Sequence, residues 1–181
     1  MDWLIVGLGN PGREYERTRH NVGFLAAERL IELWGLGRPR TRYGGLISEG
    51  RAGIGGPQVA VLLPQTYMND SGRSAGPARG ALKLPLDRVL VLHDEIDLPF
   101  GEVRSRLGGG LAGHNGLKSL RRELGSPDFW RVRMGVGRPP SSDPDTVAAY
   151  VLARFREPAA EVADLVDRGA DEAERLVGAP G

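Results

Sequence analysis

Short apolar runs alternate with amphipathic stretches along this chain. Residues 3–8 form a compact run of Trp3, Leu4, Ile5, Val6 and Leu8 that passes into Gly7-Leu8-Gly9-Asn10-Pro11-Gly12, the pattern of a buried strand entering a loop. Asn21 stands where it would cap a helix over Val22–Trp34, whose apolar positions are Phe24, Leu25, Leu30, Ile31 and Leu33, with Gly35 as the stop. Two strands are predicted near 45–49 and 59–63, joined by a glycine-rich connection. Residues 64–69 read as a loop, and Asp70 or Ser71 opens a helix reaching Leu82. Val89, Leu90, Val91 and Leu92 make 88–93 another strand, ending at Asp94-Glu95-Ile96-Asp97. A short segment near 102–106 precedes a loop over 108–113, a helix over Asn115–Leu124 and a strand over 131–136. After Arg138, Pro139-Pro140-Ser141-Ser142-Asp143-Pro144-Asp145 reads as a loop. Residues 157–177 then read as an acidic amphipathic helix with Val162, Leu165, Val166, Ala173 and Leu176 as its stripe.

This alternation predicts an α/β fold, with residues 1–181 as a single domain around a mixed, mostly parallel central sheet flanked by helices. A chain of this length buries roughly 70% of its unfolded surface and needs no staple. The absence of cysteine removes thiol catalysis, disulfides and Cys-ligated zinc. No apolar run approaches a membrane span, and the opening residues do not resemble a secretory signal, so a soluble cytoplasmic protein without membrane partners is expected. The formal net charge of +1 hides an asymmetry: residues 1–138 carry 20 basic and 14 acidic groups, residues 139–181 carry 4 and 9. Arginine supplies 22 of the 24 cations, and its planar fork suits phosphate. A high-GC or thermophilic composition, with Gly and Pro also abundant, and a phosphate-bearing partner each account for that bias.

Five constellations bear on chemistry. Gly7-x-Gly9-x-x-Gly12 is formally a dinucleotide fingerprint, but Pro11 interrupts it and the next helix starts too late to face a pyrophosphate. Gly72-Arg73-Ser74-Ala75-Gly76 followed by Asp94 and His114 has the residue order of a serine esterase, although Ser74 lies well past the preceding strand. Asp94-Glu95-x-Asp97 offers three carboxylates for a cation, a solvated turn, or one aspartate orienting a histidine; the last is favoured, because only His20, His93 and His114 are present. Asn10, Asn69 and Asn115 all fall at predicted strand-to-helix junctions, and carboxamides suit a peptide backbone or a developing oxyanion. Finally Arg104, Arg106, Lys118, Arg121, Arg122, Arg131 and Arg133 gather around a glycine loop, either as solvated surface or as a phosphate clamp.

Five ordered blocks carry a resemblance to a known family. Residues 4–15 (Leu-Ile-Val-Gly-Leu-Gly-Asn-Pro-Gly-Arg-Glu-Tyr) and 18–24 (Thr-Arg-His-Asn-Val-Gly-Phe) resemble the opening signature of bacterial peptidyl-tRNA hydrolases. Residues 64–72 (Pro-Gln-Thr-Tyr-Met-Asn-Asp-Ser-Gly), 93–101 (His-Asp-Glu-Ile-Asp-Leu-Pro-Phe-Gly), 113–119 (Gly-His-Asn-Gly-Leu-Lys-Ser) and 131–139 (Arg-Val-Arg-Met-Gly-Val-Gly-Arg-Pro) are similar to its other blocks, in the same order. The resemblance implies hydrolysis of the ester between a peptide and the 3′-terminal ribose of tRNA, by a monomer with no metal, cofactor or obligate protein partner. It implies His20 as general base on water and Asp94 as its orienting group. Asn10, Asn69 and Asn115 would place substrate, base or water, Tyr15 and Met68 would line the site around the tRNA end, and Arg106 and Arg133 would meet tRNA phosphates. The chain departs from the family pattern at Leu111 and Ala112, where a His and a Gly are usual.

Overall fold

In order along the chain, the computed structural model, which describes residues 1–180, contains β1 (Trp3–Gly7), α1 (Val22–Trp34), β2 (Arg40–Arg42), β3 (Gly45–Arg51), β4 (Gln58–Pro64), α2 (Gly72–Leu82), β5 (Val89–Glu95), β6 (Val103–Leu107), α3 (Asn115–Leu124), β7 (Trp130–Gly135), α4 (Pro144–Val151) and α5 (Ala159–Val177). The strands form one sheet in the order β2-β3-β4-β1-β5-β7-β6. Its four central strands, β4, β1, β5 and β7, run parallel, while β2, β3 and β6 add antiparallel edges. The α/β prediction with a mixed, largely parallel sheet therefore holds.

The apolar runs of β1 and β5 are buried along their whole length because both sheet faces are covered. On one face Ile5, Val61, Leu90, Leu92 and Val132 pack against α1 and α5; on the other Leu4, Val6, Leu62, Val89 and Val91 pack against α2 and α3. Helix α1 leaves β1 toward the first face and α2 leaves β4 toward the second. This divergence opens a crevice at the C-terminal ends of neighbouring parallel strands, where α/β sheets bind ligands. The glycines of 7–12 serve packing: a Cβ on Gly7 would lie 2.6 Å from both Ala27 Cβ and the Gly23 carbonyl, and one on Gly9 would lie 2.6 Å from the Phe24 ring.

Three expectations are corrected. Helix α4 occupies part of a segment read as loop. The short β2 pairs with β3 although its Arg-Thr-Arg sequence carries no apolar signal. Strand β5, expected over 88–93, continues to Glu95, so Asp94 and Glu95 are buried strand residues and the solvated-turn alternative falls away. The expected cap residues also differ in use. Neither Asn21 nor Ser71 caps its helix through its side chain; the Ser71 hydroxyl donates to the Met68 carbonyl instead. Among the described residues no helix is long and apolar enough to cross a membrane.

Candidate active site

Asp94 sits near the C-terminal end of β5, and two histidines converge on it. A single 3-10 turn over Arg19–Asn21, just before α1, delivers His20, whose Nδ1 lies 3.0 and 2.9 Å from the two Asp94 carboxylate oxygens. His114 approaches from the start of α3, with Nε2 at 2.8 Å from Asp94 Oδ1. The other His114 nitrogen, Nδ1, accepts the backbone N–H groups of Gly116 at 3.1 Å and Leu117 at 3.3 Å, so this ring is the N-cap of α3. A nitrogen that accepts two N–H groups carries no proton, which places the His114 proton on Nε2, donating to Asp94. His20 likewise donates from Nδ1, and its Nε2 lone pair has no protein partner among the described residues. Only 8% of His20 is exposed, yet it borders open space on two sides.

Burial opposes charge on His20, but the adjacent Asp94 carboxylate and its hydrogen bond outweigh that and raise the imidazole pKa. Burial likewise pushes Asp94 up, and His20 and His114 more than reverse it, holding its carboxyl well below the usual carboxylate range. The third histidine behaves differently. His93 is fully buried, donates from Nδ1 to the Asp94 carbonyl at 2.8 Å, and is pushed down to about 3 by burial and by His114.

Two cavities meet at His20. One, of about 290 Å3, is bordered by Asn10, Tyr15, Tyr67, Met68, Asn69 and Asn115. The three asparagines predicted at strand-to-helix junctions thus share one cavity with Tyr15 and Met68. Asn10 is fixed: its backbone N–H donates to Asn21 Oδ1 at 2.9 Å, its carbonyl accepts from Asn21 Nδ2 at 2.9 Å, and its Oδ1 accepts the Met68 N–H at 2.7 Å. That usage leaves Nδ2 as the free donor of its carboxamide. Asn69 and Asn115 are exposed, and Tyr15 meets Tyr67 edge to face at 6.4 Å. The second cavity, of about 420 Å3, lies on the other side of His20 and Asn115. It is bordered by Ile96, Ala112, Gly113, Lys118, Arg138 and Val147, among others. Ala112 holds φ at +49°, a left-handed conformation that glycine adopts more easily.

Arg106 and Arg133 lie apart from His20. They border a third cavity of about 240 Å3 with His93, Glu95, Asp97 and Arg131, separated from the second by Glu95 and Ala112, which border both. Arg133 donates to Glu95 at 3.0 Å and stays partly open. Arg131, grouped with the other cations by sequence, is buried and spent on backbone: it donates to the carbonyls of Gly110, Gly109 and Pro127, and burial with Arg106 and Arg133 nearby lowers its pKa to about 10.

The competing constellations come apart. Ser74 lies inside α2 with no exposed surface and its buried hydroxyl unpaired, so only the Asp94–His114 part of the esterase order forms. The carboxylates of 94–97 turn to three different partners: Asp94 to histidines, Glu95 to Arg133 and Asp97 to Arg138 at 2.6 Å. One atom each of His20, Asp94 and His114 lies within 4.8 Å of the others, a spacing that suits a cation. The pattern of bonds fits hydrogen bonding better, since a metal would have to displace the proton that each ring donates to Asp94.

Two functional elements escaped the sequence reading. By sequence His114 stands in the esterase order with Ser74 and as one of three histidines open to Asp94, and its pairing with Asp94 depends on α3 folding over β5. Helix α4, which walls both cavities with Ala148 and Val151, did carry a signal: Asp143 before Pro144 is an N-cap before a proline at the first helical position.

Comparison with known proteins agrees with this geometry. A family model described as peptidyl-tRNA hydrolase matches residues 4–179. The chain is 48% identical over 174 residues to a peptidyl-tRNA hydrolase of Geotalea daltonii, covering 96% of this chain and 88% of that one. It is 46% identical over 180 residues to one of Geobacillus kaustophilus, covering 98% and 94%. The crystal structure of peptidyl-tRNA hydrolase from Acinetobacter baumannii superposes with a TM-score of 0.87 at 37% identity, over 97% of this chain and 88% of that one. The chain belongs to the peptidyl-tRNA hydrolase family.

Proposed function

We propose that this chain hydrolyses the ester between a peptide and the 3′-terminal ribose of tRNA, releasing free tRNA and recycling stalled peptidyl-tRNA. The observation that carries the reading is the His20–Asp94 pair standing where two cavities of different character meet, in a chain of this family. With Nδ1 held by Asp94, His20 Nε2 is the group that takes a proton from water as the water oxygen attacks the acyl carbon. The same nitrogen then returns the proton to the departing ribose oxygen. Asp94 keeps the tautomer and stabilises the imidazolium formed in between. An ester is reactive enough for one base with a few amide donors, and no covalent intermediate is needed.

The neutral, amide-rich cavity suits the peptide: Asn10 Nδ2, Asn69 and Asn115 offer donors and acceptors without charge. Tyr15 and Met68, expected from the resemblance around the tRNA end, line this cavity and so move to the peptide side in this reading. The cavity with Lys118 and Arg138 suits the RNA end, and Arg106 and Arg133 lie beyond it as phosphate contacts that read no sequence. In this reading residues 1–181 act as one domain, as a cytoplasmic monomer without metal, cofactor or protein partner. The test is to incubate the protein with N-acetyl-aminoacyl-tRNA in EDTA and follow the acylated amino acid. Release is expected. Binding of tRNA without release would leave an RNA-binding module, and release abolished by EDTA would return His20, Asp94 and His114 to a metal role.

A further inference from the structure

Helix α4 is the wall common to both cavities: Val147, Ala148 and Val151 border one, and Ala148, Val151 and Leu152 the other. None of its eight residues is buried, and Tyr150 is the one of them that packs, half-buried, against the core on the α1 and α5 face of the sheet. Its N-terminus is capped by Asp143, which accepts the Thr146 N–H at 3.1 Å. Its C-terminal end is tied to the body by two side chains. The Tyr150 hydroxyl donates to the Val136 carbonyl, just past β7, at 2.7 Å. Arg19 reaches across from the turn that carries His20. Its Nη1 donates to the Tyr150 carbonyl at 2.9 Å, and its guanidinium carbon lies 3.8 Å from the centre of the Tyr150 ring. The Arg19 N–H also donates to the Ala153 carbonyl at 3.1 Å.

Arg19 is only 3% exposed, and its Nε is buried without an acceptor. An apolar side chain would fill the space without that unpaired group, but it would not grip ring and carbonyl together. Neither Arg19 nor Tyr150 borders either cavity, so they act on substrate through what they hold: α4 on one side and, for Arg19, the turn that carries His20 on the other.

We propose that Arg19 and Tyr150 form a positioning pair that sets α4 against His20, and so governs how tightly the acyl-RNA ester is held while leaving proton transfer to His20 and Asp94. The proposal rests on the esterase reading above for its substrate, and on geometry alone for the tie. The pair is tested with Tyr150→Leu, Arg19→Lys and the conservative Tyr150→Phe, using N-acetyl-aminoacyl-tRNA at varied concentration and pH. Losing the stacked ring, or replacing the planar cation by a point charge, raises KM about tenfold. The kcat stays within about twofold and keeps its pH dependence. Tyr150→Phe retains the ring over Arg19 and recovers most of the loss. The double variant Arg19→Lys/Tyr150→Leu is no worse than the weaker single variant, because one tie is being cut. A fall in kcat with unchanged KM, or additive losses in the double variant, would overturn the proposal. Amide hydrogen exchange without substrate separates this outcome from failure of the esterase reading. Residues 144–153 exchange faster in Tyr150→Leu and Arg19→Lys than in the wild type, and unchanged exchange there overturns the tie even if the protein hydrolyses nothing.

Discussion

The cluster around Asp94 and the cavity around Arg133 are neighbours on one sheet, yet they are built in opposite ways. At Asp94 both carboxylate oxygens are engaged, two imidazoles are held by their remaining atoms or their turn, and little is open to solvent. At Arg133 the cations keep freedom: Arg106 is exposed, and Arg133 has one carboxylate partner and remains partly open. The first construction suits proton transfer, which needs fixed atoms and a low local dielectric. The second suits a polyanion, which needs charge at approximately the right place and tolerates salt-dependent adjustment. The difference teaches where each kind of mutation should be felt.

Asp94→Asn should break the first region most. It removes the charge that holds the His20 proton and permits the wrong tautomer, so kcat should fall by about 10²–10⁴. The pH dependence gives the sign. Because Asp94 raises the His20 pKa, wild-type kcat should rise with pH through a limb above the ordinary histidine value, as the base loses its proton. Without that carboxylate, burial dominates and the residual limb moves to lower pH; a limb that stays in place would detach Asp94 from His20.

His114→Ala should come next, since it removes both an N-cap and one donor to Asp94. A loss of roughly 1–2 kcal/mol is expected from the cap, read as a lowered Tm. Turnover should fall by about tenfold, less than for Asp94→Asn, because the His20–Asp94 contact remains. Equal losses in the two variants would make His114 a direct partner of substrate.

Arg133→Ala should give the smallest effect and the sharpest contrast. Affinity for tRNA should fall by several-fold at low salt, the slope of log K against log salt should flatten by about 0.7–0.9, and kcat at saturation should be kept. A fall in saturated kcat with unchanged affinity would erase the division between the two regions.

The legible parts of this chain were those that bury apolar side chains regularly. Strands β1 and β5 read clearly because every position along them is covered, and α5 because Leu165, Val166 and Ala173 form its buried stripe. Strand β2 was invisible because its three residues are all exposed. Helix α4 was missed because none of its residues is buried, which removes the periodic signal and leaves only its cap and proline. In the site, Asn10, Asn69 and Asn115 could be assembled from strand-to-helix junctions, while His20 as base came with the family resemblance. The second histidine on Asp94 could not, since its place depends on where α3 begins. Ser74 shows the converse: a motif spacing satisfied in sequence and buried within a helix in three dimensions.

The central claim is that His20 does the chemistry and takes no essential part in holding tRNA. The most direct measurement follows single-turnover release from N-acetyl-aminoacyl-tRNA and, in parallel, the Kd for deacylated tRNA, for wild type and His20→Ala. The predicted result is a rate lower by about 10²–10⁴ with a Kd within about twofold of wild type. Retained release by His20→Ala, or a loss explained by weakened tRNA binding, would contradict the assignment.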